Sequence, residues 1–434
     1  MRKKAFFIAA LINSALFLLP LAMVEGIFRL LPVSYPPYLL PVNAENPVTR
    51  FQPNLDYFYS ENWNFEVQTH RHTNNYGFSH VADYHPEQST PLLMVIGGSL
   101  VEAHAVDGGK SVGELLHAAV QGEGRVYSMG VSSAPLSEDL VYADYARKTF
   151  HPDAMAFVIV GHDYHESLFK YNSEPRFHYF EEKGDGFVLR RVDYEMSRTK
   201  KVLRHSAFLR YLMFDLHFAD LIDDTIQLWR GQDHSVSAYT SPALEQRVLD
   251  ADRAVDYFLD QLPSKSGLAP RSIVFVLDAV HDAMYSEEKM AQIYNHYVPR
   301  MRRYFAQQAS ARGYQVIDME PVFIERHRAD GSGFEVVPGN AQWGARAHEI
   351  AAEEIQNSEV FKRFFPVHET YESASLRTTS PPGHKRAIRA GSRTPSESGH
   401  SNVLDQGAIR SPGLRDSLLL PPLFNTLVCS TGNC

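Results

Sequence analysis

Leu92-Leu-Met-Val-Ile-Gly-Gly-Ser99 decides the fold class: five apolar residues stop at two glycines and a serine. The run is too short for a buried helix and lacks the alternation of a half-exposed strand, so it reads as a strand buried on both faces. Downstream, helical and strand-like periods alternate. Residues 111–120 read as an amphipathic helix, 125–131 as a strand, 138–150 as a helix and 154–161 as a strand. After an irregular stretch, 243–262 reads as a helix, 271–279 as a strand and 289–313 as one long helix. Residues 314–323 then read as a strand and 343–355 as the closing helix. Strands alternating with helices predict an α/β protein, a three-layer α/β/α sandwich around a mostly parallel sheet. Functional groups in such sheets gather at the carboxyl ends of the strands. Ser99, Gly130, His162 and Asp278 all fall at such ends.

The 434 residues carry a net charge of −9 and 44% hydrophobic content, enough for one large core or two modest ones. No basic block interrupts the globular part, which argues against nucleic acid as a partner. The two cysteines, Cys429 and Cys434, lie in the last six residues, so neither a disulfide framework nor a cysteine-rich zinc site supports the fold.

Arg2, Lys3 and Lys4 precede an apolar stretch from Ala5 to Val24. Twenty residues at about 1.5 Å each span about 30 Å, one bilayer core. The stretch is longer than a signal-peptide core and lacks a small-residue cleavage site before Glu25, which favours an uncleaved anchor. The basic cluster directs the remainder across the membrane. Residues 1–31 are therefore expected as one transmembrane helix, and 32–69, with six prolines in 32–60, as a stalk. A domain over 70–366 follows, with an aromatic and charged insertion at about 164–242 packed over the sheet edge. Residues 367–434, rich in Ser, Thr, Gly, Pro and Arg, read as a disordered tail.

Five short blocks in order resemble the SGNH (GDSL-type) hydrolases and acyltransferases, in particular membrane-anchored bacterial members. Asn74-Asn-Tyr-Gly-Phe78 is similar to a lead-in such proteins carry, and Ile96-Gly-Gly-Ser99 resembles the nucleophile block with Gly98 in place of aspartate. Ser128-Met-Gly130 resembles the second block, whose glycine amide helps form the oxyanion hole. Pro152-Asp153 with Val160-Gly-His-Asp163 resembles the third, with His162 in place of asparagine. Pro338-Gly-Asn-Ala-Gln-Trp-Gly-Ala-Arg-Ala-His348 resembles the base block, with Asn340 for the aspartate, Gln342 for the histidine and Gly344 for an asparagine. The resemblance covers about residues 70–356. It implies Ser99 as nucleophile, Gly130 and His162 at oxyanion-hole positions, and acyl esters, on a small molecule or a cell-envelope glycan, as substrate. Its implied setting is the inner membrane, single-pass, with the globular domain on the periplasmic side.

A serine hydroxyl needs an adjacent base, and glutamine has no titratable nitrogen. Two functions therefore stand side by side: an esterase or O-acyltransferase working through Ser99 with a non-standard base, or a catalytically silent protein that binds glycan or a partner through the same cleft. His162 and His281 are the replacement bases to weigh. His162 at an oxyanion position faces the developing charge rather than the departing proton, and His281 reads as a surface loop residue. His151, His162, Asp163, His165 and Glu166 offer zinc-type ligands, but their spacing fits no metal site. No cofactor motif is present: Gly97-Gly98 is followed by neither a dinucleotide fingerprint nor a phosphate-binding lysine. Arg302 and Arg303 read as part of a solvated helix face.

Overall fold

The computed structural model describes residues 2–120, 122–218, 242–337 and 341–365. In chain order the strands are β1 (Leu55–Glu61), β2 (Val67–Thr73), β3 (Leu92–Gly97), β4 (Arg125–Gly130), β5 (Ala154–Ile159), β6 (His178–Lys183), β7 (Gly186–Arg191), β8 (Ile273–Leu277) and β9 (Gln315–Asp318). Strands β1–β2 and β6–β7 are antiparallel hairpins. The other five form one parallel sheet in the order β4-β3-β5-β8-β9.

The helices are α1 (Arg2–Phe28), α2 (Ser99–Glu102), α3 (Val112–Ala119), α4 (Leu136–Thr149), α5 (Asp163–Glu166), α6 (Arg198–Leu203), α7 (Ala207–Arg210) and α8 (Pro242–Ser266). They continue with α9 (His281–Met284), α10 (Glu287–Ile293), α11 (Tyr297–Ala311), α12 (Met319–Asp330), α13 (Ala345–Asn357) and α14 (Glu359–Phe364). Every residue of β3, β4, β5 and β8 is buried, which is why β3, β5 and β8 are continuous apolar runs; β4 also buries Arg125 and Ser128. Alternate residues face opposite layers. Met94, Ile96, Phe157 and Phe275 meet α4, α8 and α11, whereas Val95, Val126, Val158 and Val276 meet α3, α12 and α13. The architecture is a three-layer α/β/α sandwich, as the sequence predicts.

After β3 the chain moves outward to β4 and then returns to β5 on the far side of β3. In doubly wound sheets such a reversal, at the carboxyl ends of the strands, is where ligands bind.

Several expectations need correction. Residues 32–69 do not run as a free stalk. Val42, Val48 and Thr49 are buried, Phe51 packs into the core, and the β1–β2 hairpin begins at Leu55. The β6–β7 hairpin of the insertion packs on the helical layer, with Phe177, Tyr179 and Phe180 buried and Phe180 at 5.1 Å from Tyr257. The helix expected over 289–313 breaks at His296, and Pro299 sits in the first turn of α11, where its missing N–H has no partner to lose. The strand expected over 314–323 ends at Asp318, because the Asp318 carboxylate accepts from Glu320 N at 3.0 Å and starts α12. Arg302 is buried, bound to Asp318 and, at 2.7 Å, to Glu320; only Arg303 is exposed. Among the described residues no helix is long and apolar enough to cross a membrane. The side chains of 2–5, 7–11, 14, 15 and 17 in α1, on which the anchor expectation rests, lie outside the described residues, as do 219–241 of the insertion and the tail from 366.

The lead-in hairpin is tied to the sandwich by a buried ion pair. Arg71 Nη1 donates to Glu114 Oε2 at 2.8 Å, and both side chains are 1% exposed. Glu114 also closes the capping box of α3 with Ser111. Burial raises its pKa, yet the Arg71 charge and the hydrogen bonds hold it below the usual carboxylate range. Arg71→Met leaves that carboxylate buried without its cation and is expected to cost about 3–5 kcal/mol in urea unfolding at neutral pH. Because the folded pKa is depressed, the pair's contribution is present above the ordinary carboxylate range and lost as pH falls through it. The difference between wild type and variant therefore narrows on acidification.

Candidate active site

Two glycines bring α2 against the strand ends. A Cβ on Gly97 would stand 2.7 Å from Val158 O and 2.8 Å from Val101 Cγ2. One on Gly130, the register partner of Gly97, would stand 2.7 Å from both Glu102 N and Val101 Cβ. Neither position has space for a side chain, so the backbone itself packs there and Ser99 emerges at the carboxyl end of β3. Helix α2 lasts one turn and ends at Ala103, whose φ of 53° is left-handed.

Ser99 and Gln342, 243 positions apart, meet: Gln342 Nε2 donates to Ser99 Oγ at 3.1 Å. Gln342 belongs to the segment between α12 and α13, folded on itself by Val336 N to Gln342 O at 3.0 Å and Gly344 N to Phe334 O at 2.7 Å. Asn340, Pro338 and Gly339 lie outside the described residues.

A buried charge cluster clasps this segment to the end of β8. Trp343 Nε1 donates to Asp278 Oδ1 at 2.7 Å, and His281 Nε2 donates to the same oxygen at 2.9 Å. His281 Nδ1 donates to Glu335 Oε1 at 2.9 Å, and Tyr285 Oη donates to Glu335 Oε2 at 2.6 Å. Burial lowers the His281 pKa, but Asp278 and Glu335 overcome it and push it up to about 10. At neutral pH His281 is thus an imidazolium whose two N–H groups are both committed to carboxylates. It has no lone pair to offer Ser99, and it is a buried residue of α9 rather than a surface loop residue.

His162 stands between β5 and α5, its Nε2 3.7 Å from Asp163 Oδ1. Burial lowers its pKa, while the charges of Glu166, Asp163 and Asp278 outweigh that and raise it. Among the described residues no hydrogen bond joins His162 to Ser99. Asp163 accepts from Val160 N at 2.8 Å, and burial lifts its carboxyl to about 7. His348 is a neutral structural histidine, pushed down to about 3 by burial, whose Nδ1 accepts from Val112 N at 3.2 Å and ties α13 to α3. His165 turns to Tyr297 Oη at 3.0 Å. Among the described residues no three His, Cys, Asp or Glu side chains converge on a metal-binding point.

The loop after Gly130 was not singled out by sequence. Ala134 O lies 3.5 Å from where a Gly98 Cβ would stand, and Ser133 holds a left-handed φ of 65°, a costly conformation for a non-glycine residue. Glu102 fixes this loop by accepting from Ser132 N at 2.5 Å and Ser132 Oγ at 2.7 Å. Burial raises the Glu102 pKa, but His104 and Ser132 bring it below its usual value.

No protein-family model matches the sequence, and no curated protein is similar to it. Solved structures similar to it include a lipase from a goat rumen metagenome, at 12% identity and TM-score 0.34, over 62% of this chain and 97% of that one. Phospholipase A1 from Streptomyces albidoflavus is 13% identical at TM-score 0.32, over 62% and 99%. A two-domain esterase active on acetylated mannans is 7% identical at TM-score 0.32, over 68% and 54%.

The His281 clasp has a measurable pH signature. Because the folded pKa is raised, its contribution is complete below the ordinary imidazole value of about 6.5 and is lost as pH rises through about 10. His281→Gln is expected to destabilise by about 3–5 kcal/mol at pH 6. Thermal unfolding should show the wild type losing its advantage over the variant between those two pH values. A constant difference across the window would exclude a buried imidazolium.

Proposed function

We propose that this chain is an ester-processing protein of the SGNH class, a hydrolase or O-acyltransferase, with Ser99 as its nucleophile. The observation that supports this reading is the meeting of Ser99 Oγ, at the carboxyl end of the central strand, with a side chain from the base block at 3.1 Å. Gly130 and His162 take the oxyanion positions. The raised pKa of His162 suits a donor N–H better than a base. Asn340 and Gln342 occupy the positions of the family aspartate and histidine. Acyl esters on cell-envelope glycans are the proposed substrates. Residues 1–31 anchor the chain in the inner membrane, with the globular part periplasmic.

One observation favours a second reading. The group facing Ser99 is a carboxamide, which donates to the hydroxyl and cannot take its proton near neutral pH. Loss of the histidine alone costs a serine hydrolase on the order of 10⁶ in turnover. On this reading the cleft binds an acylated glycan without cleaving it.

Fluorophosphonate labelling of the full-length protein separates the two, with Ser99→Ala as control. Labelling that vanishes in Ser99→Ala is the outcome expected of an activated nucleophile. Its absence from a protein that circular dichroism shows folded would remove the catalytic reading and leave the binding one. The double variant Asn340→Asp with Gln342→His restores a general base and is expected to raise ester hydrolysis by about 10²–10⁴-fold, with a pH profile in the imidazole range. No gain in a folded double variant would mean that Gln342 is not at the base position.

A further inference from the structure

The end of α1 is built into the globular part. The Glu25 carboxylate accepts from Ser206 Oγ at 2.7 Å, Ala207 N at 3.0 Å and Phe208 N at 3.2 Å, so a residue of α1 caps α7. Arg29 Nη2 donates to His205 O at 3.3 Å, and the Phe28 ring lies 4.6 Å from Tyr211. Tyr211 in turn donates to Trp63 O, at the tip of the β1–β2 hairpin, at 3.0 Å. The segments that meet at this foot expose large apolar side chains: Leu30 is 88% exposed, Trp63 74% and Val202 68%, and Leu203 and Phe218 are exposed as well.

The stretch that carries α6 and α7 is basic, while Glu61 and Glu66 flank Trp63 on the hairpin tip. From Ser197 to Phe214 there are five Lys and Arg and no Asp or Glu. Arg204 and Arg210 turn inward to Pro36 O and Ser34 O, which leaves Arg198, Lys200 and Lys201 exposed next to Val202 and Leu203. An exposed tryptophan, several large aliphatic side chains and basic residues are what the headgroup zone of an anionic bilayer accepts: the apolar groups enter the acyl boundary and the cations meet phosphate.

We propose that the face formed by Leu30, Trp63, α6 and Phe218 rests on the anionic surface of the bilayer that α1 enters. The inference builds on the anchor reading of residues 1–31. Continuity carries it, since the patch begins two residues beyond α1 and is fastened to it through Glu25, Phe28 and Arg29. The same hairpin touches the loop after Ser99, where Thr69 Oγ1 donates to His104 O at 2.5 Å and Gly108 N to His70 O at 3.2 Å. Docking at its tip therefore holds the Ser99 edge of the sheet toward the membrane.

Full-length protein, with both native cysteines replaced by serine, is reconstituted in phosphatidylethanolamine–phosphatidylglycerol vesicles. An environment-sensitive fluorophore is placed at Trp63→Cys, Val202→Cys, Phe6→Cys within α1, or Lys362→Cys. Lys362 lies in α14, at the amino ends of the strands, where Val360 N bonds the first residue of β9 at 3.1 Å and Arg363 bonds Arg271 O before β8. Headgroup-borne quenchers are expected to quench positions 63 and 202 at least threefold more than 362, and acyl-chain quenchers to quench position 6. Quenching at 6 with 63 and 202 as water-exposed as 362 would overturn the surface proposal and leave the anchor standing. No quenching at 6 would overturn the anchor and the surface together.

Discussion

The absence of space at Gly97 and Gly130 governs the upper edge of the sheet. Where a Cβ would collide with Val158 O, Glu102 N and Val101, backbone packs on backbone, and the chain after β3 must turn at once into the single turn that begins with Ser99. β3 pairs with β4 on one side and β5 on the other, with both its faces buried, so no register slip can relieve the contact. The position of Ser99 is thus a consequence of sheet packing rather than of anything Ser99 itself does.

Opposite Ser99, placement depends on charge. His281 sits between two carboxylates in a site almost closed to water, where an isolated ion of either sign would be costly. One imidazolium satisfies Asp278 and Glu335 together, and Asp278 Oδ1 still accepts the Trp343 indole. Asp139, in the first turn of α4, shows the alternative: its carboxyl is buried with neither oxygen hydrogen-bonded among the described residues, and burial holds it well above the usual range, in the neutral form. The fold buries some acids by pairing them and others by keeping their protons.

Fold and site differed in how far they were legible from sequence. The strands at 92–97, 154–159 and 273–277 were readable because burial on both faces demands short uninterrupted apolar runs such as LLMVI or IVFVL. The strand at 125–130 followed from its place in the alternation with helices. The pairing of Ser99 with Gln342 was readable because Trp343, Ala345 and His348 keep the spacing around it. The clasp was not. His281 looks like any loop histidine until Glu335, 54 positions on, reaches its other nitrogen, and single-sequence periodicity holds no information about such a contact. The packed state of residues 32–54 was hidden for the opposite reason: prolines and tyrosines suggest an extended linker, and an extended chain laid against a core has the same composition. Asp318 shows the smallest-scale miss, one capping carboxylate turning an apparent strand into a helix.

These two supports explain how position 342 can hold a glutamine without disturbing its surroundings. The segment that carries it is held by Trp343 to Asp278 and by Glu335 to His281 and Tyr285, and none of those bonds involves the side chain at 342. A carboxamide there still reaches Ser99 Oγ at hydrogen-bonding distance, so the hydroxyl keeps a partner. What changes is the direction of the bond: the nitrogen donates where a base would accept. Stability and proton transfer are therefore separable at this site. The bonds that hold the segment in place are distinct from the one that faces Ser99.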